Sequence, residues 1–154
     1  MKHILFFLFS TGIIIMACSS VQKANSSATA QGINGSVTLA TGNRMPMKDA
    51  PQRSPRGIKA TVLVYEPTNI AQTRRIGTTP VYTAINTKLV ASVETDSSGA
   101  FIVALPVGSY SLFVKQGDRF YANLFDVNNN IALFTVEEGK LTKVRLSVNN
   151  NASY

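Results

Sequence analysis

Between Thr95 and Lys115 the chain reads TDSSGAFIVALPVGSYSLFVK, with apolar residues at alternate positions on either side of a Pro-Gly turn. Phe101, Val103 and Leu105 share one face of an extended segment. Tyr110, Leu112 and Val114 share one face of the next, opposite Ser109, Ser111 and Lys115. Period two is the repeat of a strand, whose successive side chains point to opposite sides. Ile102 and Ala104 are apolar as well, so the first strand is expected to be buried on both faces. Asp96 and Gly99 occupy the first and fourth places of a type I turn, and Pro106 and Gly108 the second and fourth places of another. The pattern predicts a β-hairpin at the centre of an antiparallel β domain.

The same alternation continues on both sides. Ile33–Leu39 reads as a first strand, Ile58–Tyr65 as one rich in β-branched residues, and Leu89–Glu94 as the strand entering the central hairpin. Phe120, Ala122, Leu124 and Asp126 alternate with Tyr121, Asn123 and Phe125 until Asn128-Asn129-Asn130 ends the run. Ile131–Val136 and Leu141–Val148, joined by the turn Glu137–Lys140, predict a final hairpin with Val144, Leu146 and Val148 inward and Lys143, Arg145 and Ser147 outward. Two long polar connections interrupt the strands. Residues 40–57 carry three prolines, which oppose regular structure, and residues 67–87 have room for one short edge strand at Val81–Ala84. Sustained helical periodicity is absent. Seven or eight strands with frequent turns predict an all-β, antiparallel Greek-key sandwich over residues 33–149.

The 154 residues suit one domain, and 45% apolar with 15% charged residues is a globular composition. Residues 1–17 change the picture. A short basic start, Met1-Lys2-His3, precedes an apolar run to Met16 that is too short to span a membrane but fits a secretory leader. The run ends in Ile15-Met16-Ala17-Cys18, which resembles the bacterial lipobox. That resemblance implies a diacylglycerol on Cys18, cleavage before it and palmitate-type acylation of the new amino end. Two or three acyl chains anchor stably, at about 0.8 kcal/mol per buried CH₂. The competing reading is an ordinary signal peptide with an incidental cysteine. Residues 18–32 are small and polar, as expected of a flexible tether, and residues 150–154 have nothing to bury. Ser19, rather than Asp, follows the cysteine. By resemblance to Gram-negative sorting this favours the outer membrane, and the lack of an acidic run after the cysteine favours a position facing the periplasm over one on the cell surface. Removal of Lys2 with the leader lowers the formal charge from +7 to +6. No nucleic-acid signature accompanies that surplus.

Thr95-Asp96-x-x-Gly99-x-Phe101 followed by Leu105-Pro106-x-Gly108-x-Tyr110-x-Leu112, together with Gly35-Ser36-Val37, the strand IKATVLVY and the closing hairpin, resembles the carboxypeptidase regulatory-like domain. The resemblance implies a transthyretin-like (prealbumin-like) sandwich that serves as a packing or binding module. It implies no peptidase activity.

Candidate chemistry is sparse. The one histidine, His3, lies in the leader, so His-based acid–base and triad catalysis and the usual zinc sets lack their central residue. Cys18 is the only cysteine, which excludes an intrachain disulfide. The carboxylates fall mostly in turns, where Asp and Glu serve the backbone. Asp126, Asn128 and Asn130 have alternating oxygen ligands, but without the glycine and distal glutamate of a calcium loop; an Asn-rich turn explains them better. Arg44, Lys48, Arg53 and Arg56 in the first connection, with Arg74 and Arg75 in the second, form a basic rim if those loops cluster, and Tyr82 or Tyr121 would then stack on a sugar. The bland alternative is scattered solubility charge. The expectation is therefore a non-enzymatic, lipid-anchored envelope protein that binds a protein or polymer, with no cofactor and no metal. The alternative is an anionic-glycan module using residues 40–57 and 67–84.

Overall fold

The computed structural model describes residues 31–40 and 55–149. Along them run β1 Gly32–Ala40, β2 Arg56–Gly57, β3 Thr61–Tyr65, β4 Thr73–Arg75, β5 Val81–Ile85, β6 Leu89–Glu94, β7 Ala100–Ala104, β8 Gly108–Gln116, β9 Arg119–Tyr121, β10 Leu133–Val136 and β11 Leu141–Asn149, with one 3₁₀ turn at Ile70–Gln72. They form two sheets packed as an all-β sandwich. The four-stranded sheet is built on β1, which pairs with β11 in parallel on one edge and with β7 and then β2, antiparallel, on the other. The seven-stranded sheet runs β4-β5-β9-β8-β3-β6, with β10 beside the first half of β8 and β9 beside its second half. All pairings other than β1–β11 are antiparallel.

Ile33 and Val37 of β1, Phe101 of β7, and Val144, Leu146 and Val148 of β11 meet Val62 and Val64 of β3 and Tyr110, Leu112 and Val114 of β8 between the sheets. One row of this core depends on a missing side chain. Gly35 lies opposite Phe101 on one side and Val144 on the other. A Cβ there would stand 2.4 Å from a Val144 methyl and 2.6 Å from the Phe101 ring. Gly99, at φ 84°, ends the turn after β6, where a Cβ would lie 2.2 Å from the Val37 carbonyl oxygen. The turn is the one expected: the Gly99 N–H donates to the Asp96 carbonyl at 3.0 Å.

The two expected hairpins are not hairpins. β7 pairs with β1 and β8 with β3, so Leu105–Gly108 carries the chain from one sheet to the other; β10 and β11 are likewise split between the sheets. A hairpin and such an arch have the same alternation and the same turn residues. In the hairpin the two apolar rows lie side by side on one sheet, and in the arch they face each other across the core. The Tyr110 hydroxyl donates to the Pro106 carbonyl at 3.1 Å and closes the first arch.

Other expectations change for related reasons. Ile102 is 60% exposed and Ala104 is exposed, because β7 has only one covered face. The strands buried on both faces are β3 and β8. Leu63, Tyr65 and Phe113 point away from the central core into a second cluster with Tyr82, Ala122, Ile131 and Ala132. Ser111, expected in water, is fully buried and accepts a hydrogen bond from the Thr68 N–H at 3.0 Å. The second connection is structured: it holds β4 and β5, and β5 lies between β4 and β9 rather than at an edge. The run from Phe120 keeps its pairing only to Tyr121. Beyond it, residues 122–132 close over the outer core and bond to the 68–70 segment, Ile70 N–H to the Asn129 carbonyl at 3.0 Å and Ile131 N–H to the Thr68 carbonyl at 2.8 Å. With these pieces counted there are eleven strands among the described residues, against the seven or eight expected.

Adding a methyl group at Gly35 overpacks the row it shares with Phe101 and Val144. Gly35→Ala is expected to lower unfolding stability by about 1–3 kcal/mol in urea titration; an unchanged midpoint would contradict this account of the row.

Candidate binding surface

The sites expected from the loops are dispersed. Arg44, Lys48 and Arg53, and the lipidation candidate Cys18, lie outside the described residues. Arg56 is exposed on β2, beside the Ser98–Gly99 turn. Arg74 and Arg75 lie on β4, the outermost strand at the opposite side of the seven-stranded sheet from β6. The arginines of the two connections that can be placed therefore do not share a rim. Arg75 is also employed locally: its guanidinium donates to the Thr79 carbonyl at 2.5 Å and to the Thr78 carbonyl, and stands 5.4 Å from the centre of the Phe125 ring.

Tyr82 and Tyr121 present no ring face to a sugar. Tyr82 is fully buried edge-on to Phe113, with centroids 5.6 Å apart, and its hydroxyl donates to the Ala122 carbonyl at 3.3 Å. Burial pushes its phenol above the ordinary 10.0, an effect the nearby Arg75 partly opposes. Tyr121 is 3% exposed, and its oxygen accepts from the Asn149 N–H. An aromatic residue in a polar stretch resembles an exposed sugar platform in sequence. Here it is the anchor that lets the stretch fold back onto the sheet.

Asp126 and Asp96 head two loops of the same construction. Each Oδ1 accepts from the N–H groups two and four residues on: Ser98 at 2.8 Å and Ala100 at 2.9 Å in one loop, Asn128 and Asn130 at 2.8 Å in the other. The fourth residue has positive φ in both, 84° at Gly99 and 61° at Asn129. Asp126 Oδ2 also accepts from the Asn130 side chain at 2.8 Å, so both oxygens serve their own loop. Among the described residues no cluster of three His, Cys, Asp or Glu side chains could hold a metal. The Ser98 hydroxyl, foremost, holds the Asp96 carboxyl below its ordinary 3.8, and the Asn130 side chain, foremost, does the same for Asp126.

The structure brings together a set that the loop residues did not suggest. Asn34 and Ser36 alternate with core residues on β1 and face outward. The parallel register sets Lys143 opposite Asn34 and Arg145 opposite Ser36, while Ile102 and Ala100 flank the same two positions from β7. Across the open face each row therefore reads apolar, short polar, basic. The short central side chains leave a shallow depression of about 420 Å³ lined by Asn34, Gly35, Ser36, Ala100, Lys143, Val144 and Arg145. Lys143 and Arg145 are exposed, and the ion pairs among the described residues, Lys59–Glu94 at 4.0 Å and Lys140–Glu137 at 2.5 Å, involve neither. An ammonium, a guanidinium, an amide and a hydroxyl around one hollow suit an anionic group. Outward charge on β11 was legible in the sequence. Its meeting with β1, more than a hundred residues earlier, was not.

No protein-family model, curated protein or solved structure matches this chain. Among the described residues no helix is long and apolar enough to cross a membrane.

Both loop aspartates have folded pKa values below the unfolded value of 3.8. Their contribution to stability is complete above that value and is lost as pH falls through the lowered ones. Melting temperature is therefore expected to drop on acidification below about pH 4. The variant combining Asp96→Asn with Asp126→Asn should melt lower at pH 7 and show a flatter acid limb. A parallel curve would remove the carboxylates from this role.

Proposed function

We propose that this protein is a lipid-anchored, non-enzymatic module of the bacterial envelope, of the carboxypeptidase regulatory-like type, whose four-stranded sheet holds an anionic partner. The observation that carries the binding role is the hollow between β1 and β11, with Lys143 and Arg145, which enter no ion pair among the described residues, beside Asn34 and Ser36. Partners with this chemistry are anionic envelope polymers and the acidic surfaces of other envelope proteins. The anchor reading rests on Ile15-Met16-Ala17-Cys18 and on the polar stretch of residues 19–31 that precedes β1. A tethered sandwich gains local concentration from its lipid, so modest charge-assisted contacts are enough to retain a partner. The proposed membrane is the outer one, with the domain in the periplasm. The non-enzymatic reading is supported by Asp96 and Asp126, whose carboxylates are committed to their own loops.

Two measurements test the two halves separately. Labelled palmitate is expected to enter the full chain in cells and to be lost in Cys18→Ala, with the variant leaving the membrane fraction. Labelling that persists would overturn the anchor. In detergent solution, the full chain is expected to sediment with purified peptidoglycan sacculi, or to cross-link to an acidic envelope protein, at low salt only. Combining Lys143→Ala with Arg145→Ala should weaken that retention by roughly tenfold or more, as expected for two charge-assisted contacts. Retention unchanged in the double variant would sink the proposed face.

A further inference from the structure

Among the described residues six strands are paired on one side only, and four of them carry charge that discourages pairing with another chain. β11 has Lys143 and Arg145, β4 has Arg74 and Arg75, β2 has Arg56, and β6 has Glu94 with Lys59 beside it. Of the other two, β10 already uses its Thr135 carbonyl to accept the Thr142 hydroxyl at 2.6 Å, and β7, Ala-Phe-Ile-Val-Ala, has no charge and no proline. Its bonding to β1 fixes which backbone groups remain. The Leu105 N–H donates to the Gln31 carbonyl at 3.4 Å, and the Val37 N–H to the Gly99 carbonyl at 2.8 Å. In the antiparallel register the hydrogen-bonded pairs are then Ile33 with Val103 and Gly35 with Phe101. Ile102 and Ala104 therefore turn their N–H and C=O groups away from β1, toward the open side. The Ala100 groups also turn that way but are taken by Asp96, which accepts the Ala100 N–H at 2.9 Å and donates its own N–H to the Ala100 carbonyl at 2.9 Å. At the other end Pro106 has no N–H, and its carbonyl accepts the Tyr110 hydroxyl. Among the described residues, what remains is a short free edge of two donors and two acceptors, closed at both ends.

We propose that this edge docks a second copy of the chain, β7 against β7, antiparallel about a two-fold axis at Val103. In that register Ile102 of each copy faces Ala104 of the other. The Ile102 N–H donates to the Ala104 carbonyl across the axis, the Ala104 N–H donates to the Ile102 carbonyl, and symmetry repeats both. All four groups of each copy are satisfied, and β11-β1-β7 and its copy become one six-stranded sheet. Centring the pair on Ile102 instead would set Ala104 against the already occupied Ala100. The side chains agree with the choice. Ile102 is 60% exposed, and its outward neighbours on β7 are Ala100 and Ala104, so no large side chains collide; Glu94 and Asp96 line the hollow beside this edge and belong to its rim. An isologous contact of this kind closes at two copies. It leaves Lys143 and Arg145, on the far strand, open to the anionic partner. The inference does not depend on that partner or on the anchor.

The test uses the full chain in detergent solution. Light scattering, corrected for detergent, is expected to show a concentration-dependent dimer, and amide exchange at Ile102 and Ala104 is expected to slow as concentration rises. Ile102→Pro removes an outward N–H without touching the ladder to β1, and should weaken the dimer on the order of thirtyfold, the equivalent of two hydrogen bonds. Because a proline variant can misfold, a second pair of variants reads the register directly. Ile102→Lys should weaken the dimer, and adding Ala104→Glu should restore it by setting opposite charges face to face across the axis. A wild-type monomer up to its solubility limit, a dimer indifferent to Ile102→Lys, or failure of Ala104→Glu to rescue would each overturn the proposal.

Discussion

The closing of Phe101 and Val144 over the bare backbone of Gly35 is the constraint on which the smaller sheet depends. Within that sheet β1 is the strand bonded on both edges along most of its length, and Gly35 is the point where β7 and β11 must both close on it. With no Cβ there, the ring and the methyl fill the same layer of core, and the inward residues Ile33 and Val37 keep their register on either side. β11 pairs with β1 in parallel and offers Val144, Leu146 and Val148 to the same core. That pairing in turn decides which outward side chains become neighbours. The core and the candidate binding face are thus two sides of one register, because a one-residue slip would exchange them.

The two arches have a further consequence. When the chain leaves β7 for the other sheet at Leu105–Gly108, β7 is left without a strand on its outer side among the described residues. A hairpin there would have covered its edge with β8. The switch instead places β8 at the centre of the larger sheet, between β3 on one side and β9 and β10 on the other. Burial of β8 and exposure of β7 are therefore the same event. The uncharged edge of β7 exists because its successor in sequence was needed elsewhere.

The outer core shows how polar loops are held against a sheet. Leu63, Tyr65 and Phe113 would otherwise face water, and the segments that cover them are rich in Asn and Thr. Those polar side chains satisfy the loop backbone. Asn69 caps the 3₁₀ turn, accepting from the Ala71 N–H at 3.1 Å, and donates to the Asn128 carbonyl at 2.7 Å, tying the two covering segments together. Thr68, fully buried, donates to the Glu66 carbonyl at 2.7 Å and shares a 2.6 Å hydrogen bond with Thr87. Polar groups committed to one another in this way have little left to offer a ligand, whereas the sheet face between β1 and β11 is rigid and also open.

The sequence by itself determined the all-β class, the inward rows Phe101-Val103-Leu105 and Tyr110-Leu112-Val114, the Asp96–Gly99 turn and the outward display of Lys143 and Arg145. Each of these follows from period-two alternation or from a local backbone requirement, and such signals lie within a few residues of one another. Only the tertiary structure decided that consecutive strands part company, that Tyr82 is buried, and that Asn34 and Ser36 meet Lys143 and Arg145. The reason is that strand pairing is a long-range choice. The local pattern states which way each side chain points but not which strand lies beside it, so an arch and a hairpin read alike. A face assembled from β1 and β11 becomes visible only once the register between them is set.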